Sequence, residues 1–73
     1  MVSTGVIQKL NLPQAKASLI DLDTGTRYVF PRSEINYPDT VDEYDCVSFV
    51  LSRGAVTNVS LRKRYRKEIV FTI

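Results

Sequence analysis

The sequence predicts a small all-β fold, a five-stranded antiparallel barrel, from three observations. Apolar residues recur at every second position through most of the chain, the pattern of half-buried strands. Nowhere do they recur at helical spacing behind a capping residue. Glycines, prolines and Asn/Asp-rich clusters cut the pattern into short segments. A chain of 73 residues holds one domain, and a sheet of short strands sheds its exposed edges by closing on itself.

The first strand is read as Gly5 to Leu12, with Val6, Leu10 and Leu12 on one side and Gln8 interrupting them. Pro13 has no N–H for a ladder and ends it. The second runs from Lys16 to Leu22, with Ser18, Ile20 and Leu22 pointing one way and Ala17, Leu19 and Asp21 the other. In the turn Asp23-Thr24-Gly25-Thr26, Gly25 is free to take a positive φ. A hairpin return follows over Arg27 to Phe30, closed by Pro31. Ser33 to Asp45, with Asn36, Pro38 and Asp39 close together, reads as the longest irregular stretch, with one short helical turn after Ser33. Alternation resumes over Asp45 to Ser52, where Val47, Phe49 and Leu51 make one apolar face and Cys46, Ser48 and Val50 the other. Gly54 turns the chain into a last strand, Ala55 to Leu61, with Ala55, Thr57, Val59 and Leu61 on one side.

The chain contains no His, no Trp and a single Cys. Zinc sites of Cys and His, Ser-His and Cys-His catalytic pairs and an internal disulfide are thereby excluded. Carboxylates such as Asp42 and Asp45 have no sequence neighbours that mark a metal site or a tuned acid, so the chain is read as a non-enzyme without a cofactor. Cys46 opens the fourth strand and reads as a structural residue. One cysteine fits a reducing compartment. With no charged-then-apolar leader and no apolar run near the roughly 20 residues of a membrane span, the expectation is a cytoplasmic protein with no membrane contact.

Net charge is +2 but unevenly placed. Residues 1–52 hold four bases against seven acids, a net of −3, while residues 53–73 hold six bases against one acid, a net of +5. The acids gather between Glu34 and Asp45; the bases gather in Arg62-Lys63-Arg64-Tyr65-Arg66-Lys67. Such a run fits a solvated face. It also fits two sharper uses: holding phosphates while Tyr65 stacks on a base, or folding back on the acidic stretch and neutralising it. Tyr37 and Tyr44 flank that stretch and fit either a cover for the barrel end or a partner contact.

Several pieces follow one another in a telling order: Gly5-Val6-Ile7-Gln8-Lys9-Leu10-Asn11, then Ala15-Lys16-Ala17-Ser18-Leu19-Ile20, Gly25, Val29-Phe30-Pro31-Arg32-Ser33, Val47-Ser48-Phe49 and Ala55-Val56-Thr57-Asn58-Val59. In this order and spacing the chain resembles, over roughly residues 4–61, the cold-shock domain, a five-stranded OB-fold barrel that binds single-stranded RNA and DNA. The second and fourth pieces look like that family's ribonucleoprotein motifs, K-G-F-G-F-I and V-F-V-H-F-S. The resemblance implies an OB barrel over residues 1–61, followed by a basic segment and β-prone extension over 62–73. It also implies a binding face of outward rings, which is thinned here. Lys9 stands at a Trp position, Ala17 and Leu19 at two Phe positions and Arg32 at a His position. Phe30 remains, with Tyr28 expected on the same face; packing of Phe30 in the barrel and ordinary strand surface for Tyr28 are the plainer readings. Each stacked base is worth about 1 to 3 kcal/mol, so three lost rings remove about 3 kcal/mol, more than a hundredfold in affinity.

Charge is the expected replacement, from Lys9, Lys16, Arg27 and Arg32 together with the run Arg62, Lys63, Arg64, Tyr65, Arg66 and Lys67. The predicted function is weak, low-specificity binding of single-stranded RNA or DNA, mainly electrostatic. The alternative is a protein-interaction or regulatory module that uses the barrel, the charge dipole and the terminal strand. Glu68-Ile69-Val70-Phe71-Thr72-Ile73 has the composition of a strand. It is expected to pair with its own barrel, or to join a protein partner or a second copy of the chain in a homodimer.

Overall fold

A computed structural model of the chain describes residues 2–36 and 40–65. Five strands, β1 (Val2–Leu12), β2 (Lys16–Asp21), β3 (Arg27–Pro31), β4 (Cys46–Ser52) and β5 (Ala55–Lys63), form one antiparallel sheet in the order β3-β2-β1-β4-β5. A 3-10 turn over Arg32–Glu34 is the only helical element among the described residues, and no helix among them is long and apolar enough to cross a membrane. The chain is all-β, as its period-two pattern implies. β1 begins at Val2 rather than Gly5, and β5 continues past Leu61 to Lys63. The basic run therefore starts inside the sheet.

β1 holds the sheet together by pairing with two strands: Val2–Val6 with β4 and Gly5–Leu12 with β2. At Gly5, where the pairings overlap, a side chain has no room. A Cβ at Gly5 would lie 2.9 Å from the Ile20 carbonyl oxygen and 2.9 Å from Phe49 Cε1. Past this point the register of β1 against β2 shifts after Ile7 and again after Lys9. Such bulges change which residues face inward. Gly5 and Ile7 are buried before the shifts, and Leu10 packs on the core after them. The expected common side of Val6, Leu10 and Leu12 is thus corrected: the strand changes parity along its length.

β5 is bulged as well. Ser48 faces Ser60 while Val50 faces Thr57, and the spare residue is accommodated at Asn58, whose φ is +52°. Val56 and Val59 consequently both enter the core, so the uniform side of Ala55, Thr57, Val59 and Leu61 is also corrected. β2 and β4 alternate as their sequences imply, with Ala17 and Leu19, and Val47 and Phe49, buried. Together with Ile7, Phe30, Val56, Val59 and Val41 these residues form the core on the inner face of the sheet.

The turns follow local chemistry. The carboxylate of Asp21 accepts the N–H groups of Asp23 (2.8 Å) and Thr24 (3.4 Å), and Gly25 takes a φ of +73°. After the 3-10 turn the chain leaving β3 touches β5. Ile35 and Val59 form an isolated parallel bridge, the Asn36 N–H donates to the Val59 carbonyl (2.7 Å) and the Asn36 amide donates to Ser60 Oγ (2.7 Å). No strand ladder joins β3 to β5 among the described residues. The terminal segment 68–73, read above as an added strand or a dimer contact, lies outside the described residues.

Candidate nucleic-acid interface

β2 and β3 place Ala17 opposite Phe30 and Leu19 opposite Tyr28, and residues directly opposite on adjacent strands share a face. That face is the core. Phe30 is 1% exposed, and half-buried Tyr28 sets its ring 6.2 Å from that of Phe49, tilted by 55°. The two side chains do share a side, but it is the inner one, and this corrects the expectation of an outward platform on Phe30 and Tyr28. The opposite side carries Lys16, Ser18 and Ile20 on β2 and Arg27, Val29 and Pro31 on β3; Ser18 is buried there, and the three β3 residues are exposed. A strand has a side-chain period of two, so a shift of one residue reverses every side chain. Among the described residues the outer face of β2 and β3 carries no aromatic ring.

The exposed rings lie elsewhere. Tyr44 and Tyr65 are 57% and 54% exposed, and they meet edge to face with centroids 5.7 Å apart and planes at 61°. Tyr44 adopts a φ of +73° and donates its N–H to the Ile7 carbonyl at 2.7 Å. Tyr65 follows β5 and donates its N–H to Asp45 Oδ1 at 2.7 Å. Asp45 is 1% exposed, and its other oxygen accepts the Asp42 N–H at 2.8 Å. A carboxylate survives burial when its lone pairs are met. By meeting them with backbone from both sides, Asp45 ties the loop before β4 to the end of β5 and brings the two tyrosines together.

Among the described residues Arg62, Lys63 and Arg64 gather at the end of β5, and Lys16 and Arg32 where β2 meets the end of β3. Arg62 and Lys63 end β5, are exposed and form no ion pair among the described residues; Lys63 stands opposite Cys46. Arg64 is engaged: its Nη1 lies 3.5 Å from Asp42 Oδ2 and 3.8 Å from Asp45 Oδ2, and its Nη2 donates to the Thr40 carbonyl at 3.3 Å. The basic run thus does fold back on the acidic stretch, through Arg64. At the other pole Lys16 opens β2 beside Arg32, whose N–H donates to the Ala15 carbonyl (2.9 Å) and whose Nη1 donates to Asn11 Oδ1 (3.3 Å). Exposed Lys9 is opposite Ser18 and lies two residues along β1, past a register shift, from Ile7, whose carbonyl accepts the Tyr44 N–H. Arg27 stands apart, at the far end of β3 and about 13 Å from Pro31. Arg66 and Lys67 lie outside the described residues.

Tyr44, read from the sequence as a barrel-end cover or a partner contact, and Asp45, read as an unremarkable carboxylate, are the members of this cluster whose joint role the sequence did not reveal. Tyr44 sits among acids in Glu43-Tyr44-Asp45, a context that draws attention to charge. The available signal was an acid at the exact junction of loop and apolar strand, where backbone N–H groups need acceptors. Among the described residues no group of three or more Cys, Asp or Glu side chains is placed to hold a metal ion. Fold and site together define a small all-β protein with an exposed ring pair beside cations. Comparison of the chain with protein-family models, with curated proteins and with solved structures found no match.

Proposed function

We propose that the protein is an OB-type barrel of the cold-shock kind that binds single-stranded RNA or DNA weakly, with little sequence preference, at the surface formed by Tyr44, Tyr65, Lys63, Arg62, Arg64 and Lys9. The observation that carries this reading is the exposed tyrosine pair beside cations. Every base has a π face, so rings of this sort hold single strands without reading them, while Lys and Arg hold the phosphates. The strand order and the Ile35–Val59 bridge support the barrel part of the reading, because they bring the chain leaving β3 beside β5. Lack of rings on the outer face of β2 and β3 keeps the affinity low. In this reading the protein acts in the cytoplasm by binding alone, without catalysis or a cofactor.

Titration of a labelled single strand at stepped salt tests the proposal. Three or four phosphate contacts give a slope of log K against log salt of about −2 to −3 on a single strand. Absence of binding at low salt, or binding indifferent to salt, removes the proposal.

A second reading, the protein-interaction module, is favoured by one specific observation: part of the basic end is already neutralised by Asp42 and Asp45. Exposed Val2, Leu22 and Val29 are compatible with it. Nuclease treatment of material that co-purifies with the protein separates the two readings. Loss of that material favours nucleic acid, and retention favours a protein partner.

A further inference from the structure

We infer that Asp42 is a built-in competitor for nucleic-acid phosphate at Arg64, so that the acidic loop weakens the surface until a strand displaces it. The inference rests on the nucleic-acid reading of the Tyr44–Tyr65 surface. Arg64 lies between Lys63 and Tyr65, beside the ring pair, and its side chain is 49% exposed; that of Asp42 is 79% exposed. At 3.5 Å in open water their pairing is weak, screened by salt and easily exchanged. Asp45 differs. It is buried, and its two oxygens are held by the N–H groups of Tyr65 and Asp42, so the loop and the end of β5 stay joined when Arg64 turns away. The Asp42 carboxylate accepts no hydrogen bond and forms no second ion pair among the described residues, which leaves it free to be replaced. Asp42 meets the guanidinium through a single oxygen, whereas a phosphate can offer it two oxygens in a bidentate fork. Release of counterions from the strand adds to the exchange.

The test compares Asp42→Asn with Glu43→Gln by titrating a labelled oligothymidylate at stepped low salt. Both variants remove one negative charge from the same loop; Asp42→Asn alone removes the exposed ion pair of Arg64, leaving its contacts with Asp45 and the Thr40 carbonyl in place. Asp42→Asn is expected to bind about two- to fivefold more tightly than wild type, with a salt slope steeper by about 0.7. Glu43→Gln is expected to leave the slope unchanged, and in an Arg64→Ala background the gain from Asp42→Asn should vanish. Equal affinity and slope for the two loop variants, or a gain that persists without Arg64, overturns the inference while leaving the nucleic-acid reading intact. A wild type that binds no strand at low salt removes that reading, and the inference falls with it.

Discussion

Gly5 is the point at which β1 changes partners, with the Ile20 carbonyl and the Phe49 ring each 2.9 Å from where a Cβ would sit. Gly5→Ala is therefore expected to cost about 1–3 kcal/mol through overpacking, seen as a lower urea midpoint; an unchanged midpoint would mean that the strands cross less closely. Phe30, which the resemblance offered as a stacking ring, is 1% exposed, while Tyr65 is 54% exposed. Phe30→Leu is expected to lower stability by about 1–3 kcal/mol and to leave the affinity of the folded protein unaltered. Tyr65→Ala is expected to move stability by less than about 0.5 kcal/mol and to weaken strand binding by about 5- to 100-fold. The opposite pattern in these two variants would return the binding face to β2 and β3. Sequence alone could not separate the cases, because Val29 and Phe30 are both apolar and β3 has only five residues. Alternation reveals two faces without saying which one is inside.

At the scale of elements, all five strands were legible because Pro13, Gly25, Pro31 and Gly54 punctuate clear alternation. What alternation hid were the bulges in β1 and β5. A bulge inserts one residue and flips the pattern beyond it, and its trace in composition is slight: Gln8 interrupting an apolar series, and Asn58 within a β-branched one. The β4–β5 turn shows the same limit. Gly54 was readable as the turn residue, but Arg53 also has a positive φ, +53°, which is the demand of a two-residue turn of type I′. Replacing Arg53→Asn, a residue at ease in that conformation, is expected to raise stability by about 0.5–1 kcal/mol. A lowered unfolding midpoint would show that the Arg53 side chain makes a contribution that this turn geometry does not contain.

For the whole molecule, the charge dipole was plain in the sequence, whereas its folding back was one of two open uses. Tyr44 and Tyr65 are remote in the chain, and nothing local to either marks the other as a neighbour. Their meeting depends on the buried Asp45 and on β5 running on to Lys63, both consequences of tertiary packing. The same joint places Arg64 between acid and solvent, so the exposed ring pair and the charges that the proposed function needs lie together at one end of β5. The most direct measurement is a nuclear magnetic resonance titration of isotope-labelled protein with a short oligothymidylate at low salt. Saturable shifts are expected at the amides of Tyr44, Lys63, Arg64, Tyr65 and Lys9, collapsing when salt is added. Shifts centred on Arg27 and Val29, with those five amides unmoved, would contradict the account.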